Sequence, residues 1–164
     1  MVVICIVKKA IFVKKLITMY QYKEVKPGSY VLSLDNHVEI AEALAAFCAE
    51  KGIMAGTILG LGAINEATFR FLNPATKRYV DKTFAEQMEI TNLTGNISQS
   101  PDNPVDPYLH IHITASRRDY SCIGGHLLSA RVNGACELLV EDFADSYAIG
   151  RRFDEETGLN LYQF

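Results

Sequence analysis

The stretch from Ile53 to Ile97, IMAGTILGLGAINEATFRFLNPATKRYVDKTFAEQMEITNLTGNI, decides the fold class. Ile53 to Leu61 and Ala67 to Leu72 are apolar or alternating runs, split by Gly62 and Asn65. Asn73-Pro74-Ala75-Thr76 has turn chemistry, and Arg78 to Phe84 beyond it suits a half-exposed strand. Glu89 to Ile97 reads as one more strand. Strand follows strand with turns between them, without the helices that alternate along a parallel sheet, so the sheet is expected to be mostly antiparallel.

Reading upstream, Tyr20 to Val25 is a short polar-alternating piece, and Pro27 and Gly28 separate it from the strand pattern of Tyr30 to Leu34. Asn36 followed three residues later by Glu39 is a capping-box signal. Ile40, Leu44 and Phe47 then recur at helical spacing, and Gly52 closes the run, which predicts one amphipathic helix over about residues 37–51. His37 would fall in its first turn, on the surface. Downstream, the polar loop from Ser98 to Pro107 carries Pro101, Pro104 and Pro107 and is the longest break. Tyr108 to Thr114, Gly125 to Val132 and Ala135 to Phe143 are further strands. The expected architecture is α+β: a mostly antiparallel β-sheet of about seven strands with one main amphipathic helix and no internal repeat.

The composition agrees with one domain. The 164 residues are 49% hydrophobic and 21% charged, enough to bury a core and too apolar for global disorder. No uncharged apolar run approaches the roughly 18–20 residues of a membrane helix. Cys5, Cys48, Cys122 and Cys136 never approach CxxC spacing and read as reduced thiols of a cytoplasmic protein. The net charge of −3 is uneven. Residues 1–18 carry Lys8, Lys9, Lys14 and Lys15 and no acid, whereas residues 19–164 hold 12 basic against 19 acidic side chains. A domain that acidic has no general attraction for phosphates, which disfavours DNA as a partner. The pairs Arg117–Arg118 and Arg151–Arg152 are the downstream candidates for a local basic patch, and adjacent arginines more commonly read as solvated surface.

Three segments follow. Residues 1–18 are an N-terminal extension: its lysines interrupt the apolar run instead of preceding it, unlike a signal peptide. It reads either as translation from the wrong Met, with Met19 the true start, or as a surface segment, such as a short amphipathic helix on a membrane surface. Residues 19–145 form the domain, and residues 146–164 are a C-terminal extension.

Chemistry concentrates in residues 108–126, YLHIHITASRRDYSCIGGH. His110 and His112 lie two apart in a strand, so both imidazoles leave one face while Leu109, Ile111 and Ile113 point the other way, into the core. His126 follows Gly124 and Gly125, and if its strand pairs beside residues 108–114 it faces the same point. Three neutral imidazoles converging there would hold a divalent transition metal, most commonly zinc, with a coordination position left open. Such a metal lowers the pKa of its water to about 7 or polarises a carbonyl. HxH on a strand also describes two solvent-facing histidines, so the residues alone leave both readings open. Cys122 reads as a fourth ligand or as a small buried residue. Glu86, Glu89, Asp102 and Asp106 read as general bases or as exposed acids. Gly60-Leu61-Gly62 lacks the third glycine and the strand-to-helix context of a dinucleotide loop, and reads as a bend at a strand end. No Ser-His-Asp or Cys-His arrangement can be assigned, and no basic-aromatic interleaving marks a single-stranded nucleic-acid platform.

The stretch LHIHITASRRDYSCIGGHLLSARVNGACELLVEDF resembles the plant and prokaryote conserved (PPC) domain, whose prokaryotic members carry LHLH, a short turn, GGHLL and a closing strand. The stretch ALAAFCAEKGIMAGTILGLGAINEATFRFLNPATKRY is similar to that family's first half, and the likeness runs over about residues 20–143. The resemblance implies an α+β fold with an antiparallel sheet, assembly as a homotrimer, and metal ligation by His110, His112 and His126. Plant members add AT-hooks of RGRP type; no RGRP occurs in this chain, so the resemblance is to the prokaryotic type. Near residues 86–91, only Glu89 and Ile90 match the plant GRFEIL segment, so the plant partner-binding role does not carry over. Two functions remain. One is a trimeric, metal-bearing protein whose three-His site binds or acts on a small anionic or carbonyl ligand. The other is a DNA-binding or transcription-associated interaction module.

Overall fold

The computed structural model describes residues 19–143 and 149–164. The expectations for residues 1–18, Cys5 included, lie outside these described residues. Two strands, β1 (Tyr20–Lys26) and β2 (Ser29–Leu34), precede one helix, α1 (Ile40–Lys51). Then come β3 (Gly56–Asn73), β4 (Arg78–Phe84), β5 (Met88–Gln99), β6 (Pro107–Ser116) and β7 (Cys122–Asp142). A C-terminal hairpin, β8 (Gly150–Asp154) and β9 (Leu159–Gln163), ends the chain.

The first seven strands form one sheet in the order β1-β2-β7-β6-β5-β3-β4, every pairing antiparallel, as the run of turn-linked strands predicts. A further β7–β3 pairing joins β3, β5, β6 and β7 in a closed circuit. Closure follows from length. The 18-residue β3 and the 21-residue β7 pair from Gly56↔Asp142 to Arg70↔His126, while each also serves other neighbours on its far side.

Here the structure corrects the expected strand divisions. The two runs within residues 53–72 are one strand, as are the two within 125–143. Gly60-Leu61-Gly62 does not end a strand. The β3–β5 register shifts between Gly60 and Gly62, so the glycines accommodate a bulge inside a continuous strand.

The helix buries Ile40, Ala43, Leu44, Phe47 and Cys48, a stripe at i, i+3, i+4, i+7 and i+8. Phe47 sits in an aromatic nest, with ring centroids 5.5 Å from Tyr20, 5.3 Å from Tyr22 and 5.3 Å from Tyr30. Gly52 ends the helix at φ 71°, as expected of a left-handed cap. The start differs from the expected one. Glu39 is the N-cap, its carboxylate accepting from the Glu42 amide at 2.6 Å and from the Ala130 amide at 2.8 Å. Asn36 instead accepts from the amides of His37 and Gly134, fastening the preceding turn to β7. His37 lies in that turn with φ 70°, outside the helix.

Candidate metal centre

Strand alternation places the histidines. Ile111 and Ile113 are buried in the core, so His110 and His112 leave β6 on its outer face. The β6–β7 register then pairs His112 with His126, and Ile113 and Thr114 with Gly125 and Gly124. The glycine pair has a steric reason: a Cβ on Gly124 would lie 2.3 Å from the Ile113 carbonyl oxygen, and Gly125 takes φ 155°. A side chain at Gly124 would push β7 away from β6 at the point where His126 meets His112.

The three imidazoles converge. Ring centroids stand 5.0 Å apart for His110–His112, 5.0 Å for His110–His126 and 5.4 Å for His112–His126. The Nε2 atoms of His110 and His112 are 3.1 Å apart, and one ring nitrogen from each of the three residues lies within 4.8 Å of the others. Ligand atoms around a tetrahedral ion with bonds near 2.0–2.1 Å sit about 3.3 Å apart, so the donor set fits a transition metal with modest closure. Burial, reinforced by the other imidazoles and by Arg151, depresses the His110 pKa to about 4. Burial, His112 and Arg70 likewise lower that of His126. Near neutral pH these two rings are therefore uncharged, the form that ligates metal.

No carboxylate or thiol of the described residues joins this group. Cys122 is exposed and lines an apolar groove with Phe69, Phe71 and Ile123, so it is neither a ligand of the cluster nor a buried residue. Glu86 is engaged by Arg117, 2.7 Å away, on another part of the surface. Glu89 pairs with Ser116 at the far end of β6, and Asp102 and Asp106 sit in the β5–β6 loop, where Asp106 accepts from Asn103. None of these acids is gathered with the histidines.

What sequence reading missed is Arg151. Taken as solvated, it is held over the site's edge: Nε donates to Ser98 Oγ at 2.7 Å, Nη2 to Asn96 Oδ1 at 2.8 Å and Nη1 to the Asn160 carbonyl at 2.8 Å. Its guanidinium carbon lies 4.7 Å from the Tyr108 ring centroid and 4.5 Å from that of Tyr162. No local signal in the sequence separated it from its neighbour: the structure leaves Arg151 half-buried and Arg152 exposed, with two half-buried residues followed by two exposed ones in β8.

A sheet of this topology with a three-histidine face defines a class, and the comparisons name it. The profile of the Plants and Prokaryotes Conserved (PCC) domain matches residues 22–144, and the chain belongs to that family. Among solved structures, a protein from Bacteroides thetaiotaomicron, provisionally called DNA-binding, is 55% identical. The match covers 89% of this chain and 98% of that one, with a TM-score of 0.84. A metal-containing protein from Archaeoglobus fulgidus is 35% identical over 88% of this chain and 98% of its own, with a TM-score of 0.77. A plant- and prokaryote-conserved protein from Pyrococcus horikoshii, 23% identical with a TM-score of 0.74 over 89% and 95% of the two chains, shares the fold. Among curated proteins none matches the chain.

Proposed function

We propose that this protein is a trimeric, metal-binding member of the family, in which His110, His112 and His126 hold zinc or another divalent transition ion. The open side of that ion receives a small ligand. The observation that carries the reading is the convergence of three imidazole donors on one face, within 4.8 Å of one another. The name of the Archaeoglobus fulgidus relative, a metal-containing protein, supports it. When bound, the ion supplies Lewis-acid polarisation of a ligand oxygen. The site belongs to the domain assigned to residues 19–145. Trimer formation is supported by an apolar stripe on the outer face of the sheet, where exposed Val31 and Leu59 flank half-buried Leu139 as its cross-strand neighbours. Cytoplasmic residence is part of the same reading, supported by free Cys48, Cys122 and Cys136. Among the described residues no helix is long and apolar enough to cross a membrane.

Elemental analysis of untagged protein tests the site. About one ion per chain is expected from three ligands with an open position, lost in the His110→Ala/His126→Ala double variant. Wild type that stays metal-free after reconstitution overturns the reading. A DNA-binding module is the competing function, favoured by the name of the Bacteroides thetaiotaomicron relative. It requires duplex affinity that falls steeply with salt, and the 19 acidic against 12 basic residues of 19–164 oppose it.

A further inference from the structure

Two guanidinium groups flank the imidazoles, and their environments differ. Arg70, the cross-strand partner of His126, is gripped by Asp81, with Nε and Nη2 each 2.8 Å from a carboxylate oxygen. That charge is matched. Arg151 forms no ion pair with a carboxylate among the described residues. Its fixed partners are all neutral: the Ser98 hydroxyl, the Asn96 amide oxygen and the Asn160 carbonyl.

Its position relative to the histidines follows from strand parity. Tyr108, which stacks on the guanidinium, precedes His110 by two residues and shares its face of β6. Asn96 is the cross-strand partner of His110. Arg151 therefore stands at the His110 edge of the cluster, close enough for its charge to act on that imidazole. The hairpin that carries it is anchored on two sides. The Gln99 amide donates to the Ile149 carbonyl at 2.9 Å, and Lys77 in the β3–β4 turn donates to the Glu155 carbonyl.

A guanidinium has five N–H groups. Three are spent on the neutral acceptors, leaving one on each terminal nitrogen without a partner among the described residues. A half-buried cation, immobilised by stacking and with no counter-charge among the described residues, carries a desolvation cost that an anion would relieve. A neutral donor would fasten the hairpin to Ser98 without that cost. The planar pair of free donors matches a carboxylate better than a tetrahedral anion.

We infer that Arg151 is the anion-recognising residue of the three-His site, and that the site's ligand is a small carboxylate held between the histidine-bound ion and this guanidinium. The inference rests on the metal-binding reading above and adds the ligand class and the residue that selects it.

The test uses the full chain loaded with cobalt(II), whose visible spectrum reports on its ligands, titrated with acetate, acetamide and inorganic phosphate. Acetate should perturb the wild-type spectrum saturably and acetamide much less. Arg151→Gln should bind cobalt as well as wild type but weaken acetate by about tenfold or more, the loss expected of a charge-assisted hydrogen bond. Ser98→Ala removes one anchor of the same side chain and keeps the charge, so its acetate affinity should stay within about twofold of wild type. Equal losses in the two variants would mean that hairpin packing, and not charge, matters, and would overturn the inference. So would acetate binding indifferent to Arg151→Gln, while leaving the metal reading intact. Tighter binding of phosphate than of acetate overturns the carboxylate assignment. Failure of wild type to take up cobalt removes the metal reading and this inference together.

Discussion

At the residue scale, His110 couples the site to pH. Its pKa in the fold is about 4, against 6.5 for the free side chain. The unfolded chain therefore takes up a proton at this residue at a pH where the folded one does not. The associated stability is fully present above about pH 6.5 and is lost as pH falls through about 4. Urea denaturation of the metal-free protein between pH 7.5 and 4 should show this decline, with a shallower slope in His110→Gln than in wild type. Parallel slopes would show that burial and the neighbouring cations do not bias this imidazole. The HxH and GGH spacings made these ligand candidates legible, because a two-residue period sends both β6 imidazoles to one side. Arg151 was not legible as part of the site. Nothing in its immediate neighbours distinguishes a stacked guanidinium from a solvated one, since Tyr108 lies 43 residues away in the chain.

At the scale of elements, the helix shows how local and tertiary signals compete. The stripe from Ile40 to Cys48 and the Gly52 cap are local and read correctly. Asn36 is the better intrinsic cap, yet Glu39 caps the helix, because Asn36 accepts from Gly134 of β7 while the Glu39 carboxylate also accepts from Ala130 of the same strand. The merged strands have a similar cause. Glycines that look like strand ends in sequence lie where β3 and β7 press together or change register. The β6–β7 ladder gives the sharper test. Gly124→Ala drives a methyl into the Ile113 carbonyl, so it should cost about 1–3 kcal/mol in stability and weaken metal binding by displacing His126. Gly52→Ala should cost about 1 kcal/mol through its left-handed backbone alone, with metal affinity unchanged. Denaturation curves and metal titrations on both proteins check this; unaltered metal affinity in Gly124→Ala would detach the glycine pair from the site's geometry.

For the whole molecule, the outer face of the sheet carries both the histidines and an apolar stripe. Leu59, Thr94, His112 and His126 run across adjoining strands in register. Leu59 and Leu61 remain 45% and 56% exposed, too apolar a pair to be left facing water without consequence. With trimer formation as proposed, Leu61→Asp should shift the protein to monomer in sedimentation velocity while its far-ultraviolet circular dichroism stays that of wild type. A trimer that survives the substitution would place the interface elsewhere on the surface.

The amino-acid sequence by itself determined the class of fold, the helix and its C-cap, most strand positions, the family and the three candidate ligands. Those features rest on short-range periodicity, turn chemistry and compact motifs, all of which act within a few residues. Only the tertiary structure decided that β3 and β7 run unbroken and close a circuit, that Glu39 caps the helix, and that the C-terminal hairpin lays Arg151 beside His110. Each depends on groups far apart in the chain meeting in space. Register across a sheet and the partners of a half-buried charge are set by packing, which local pattern does not encode.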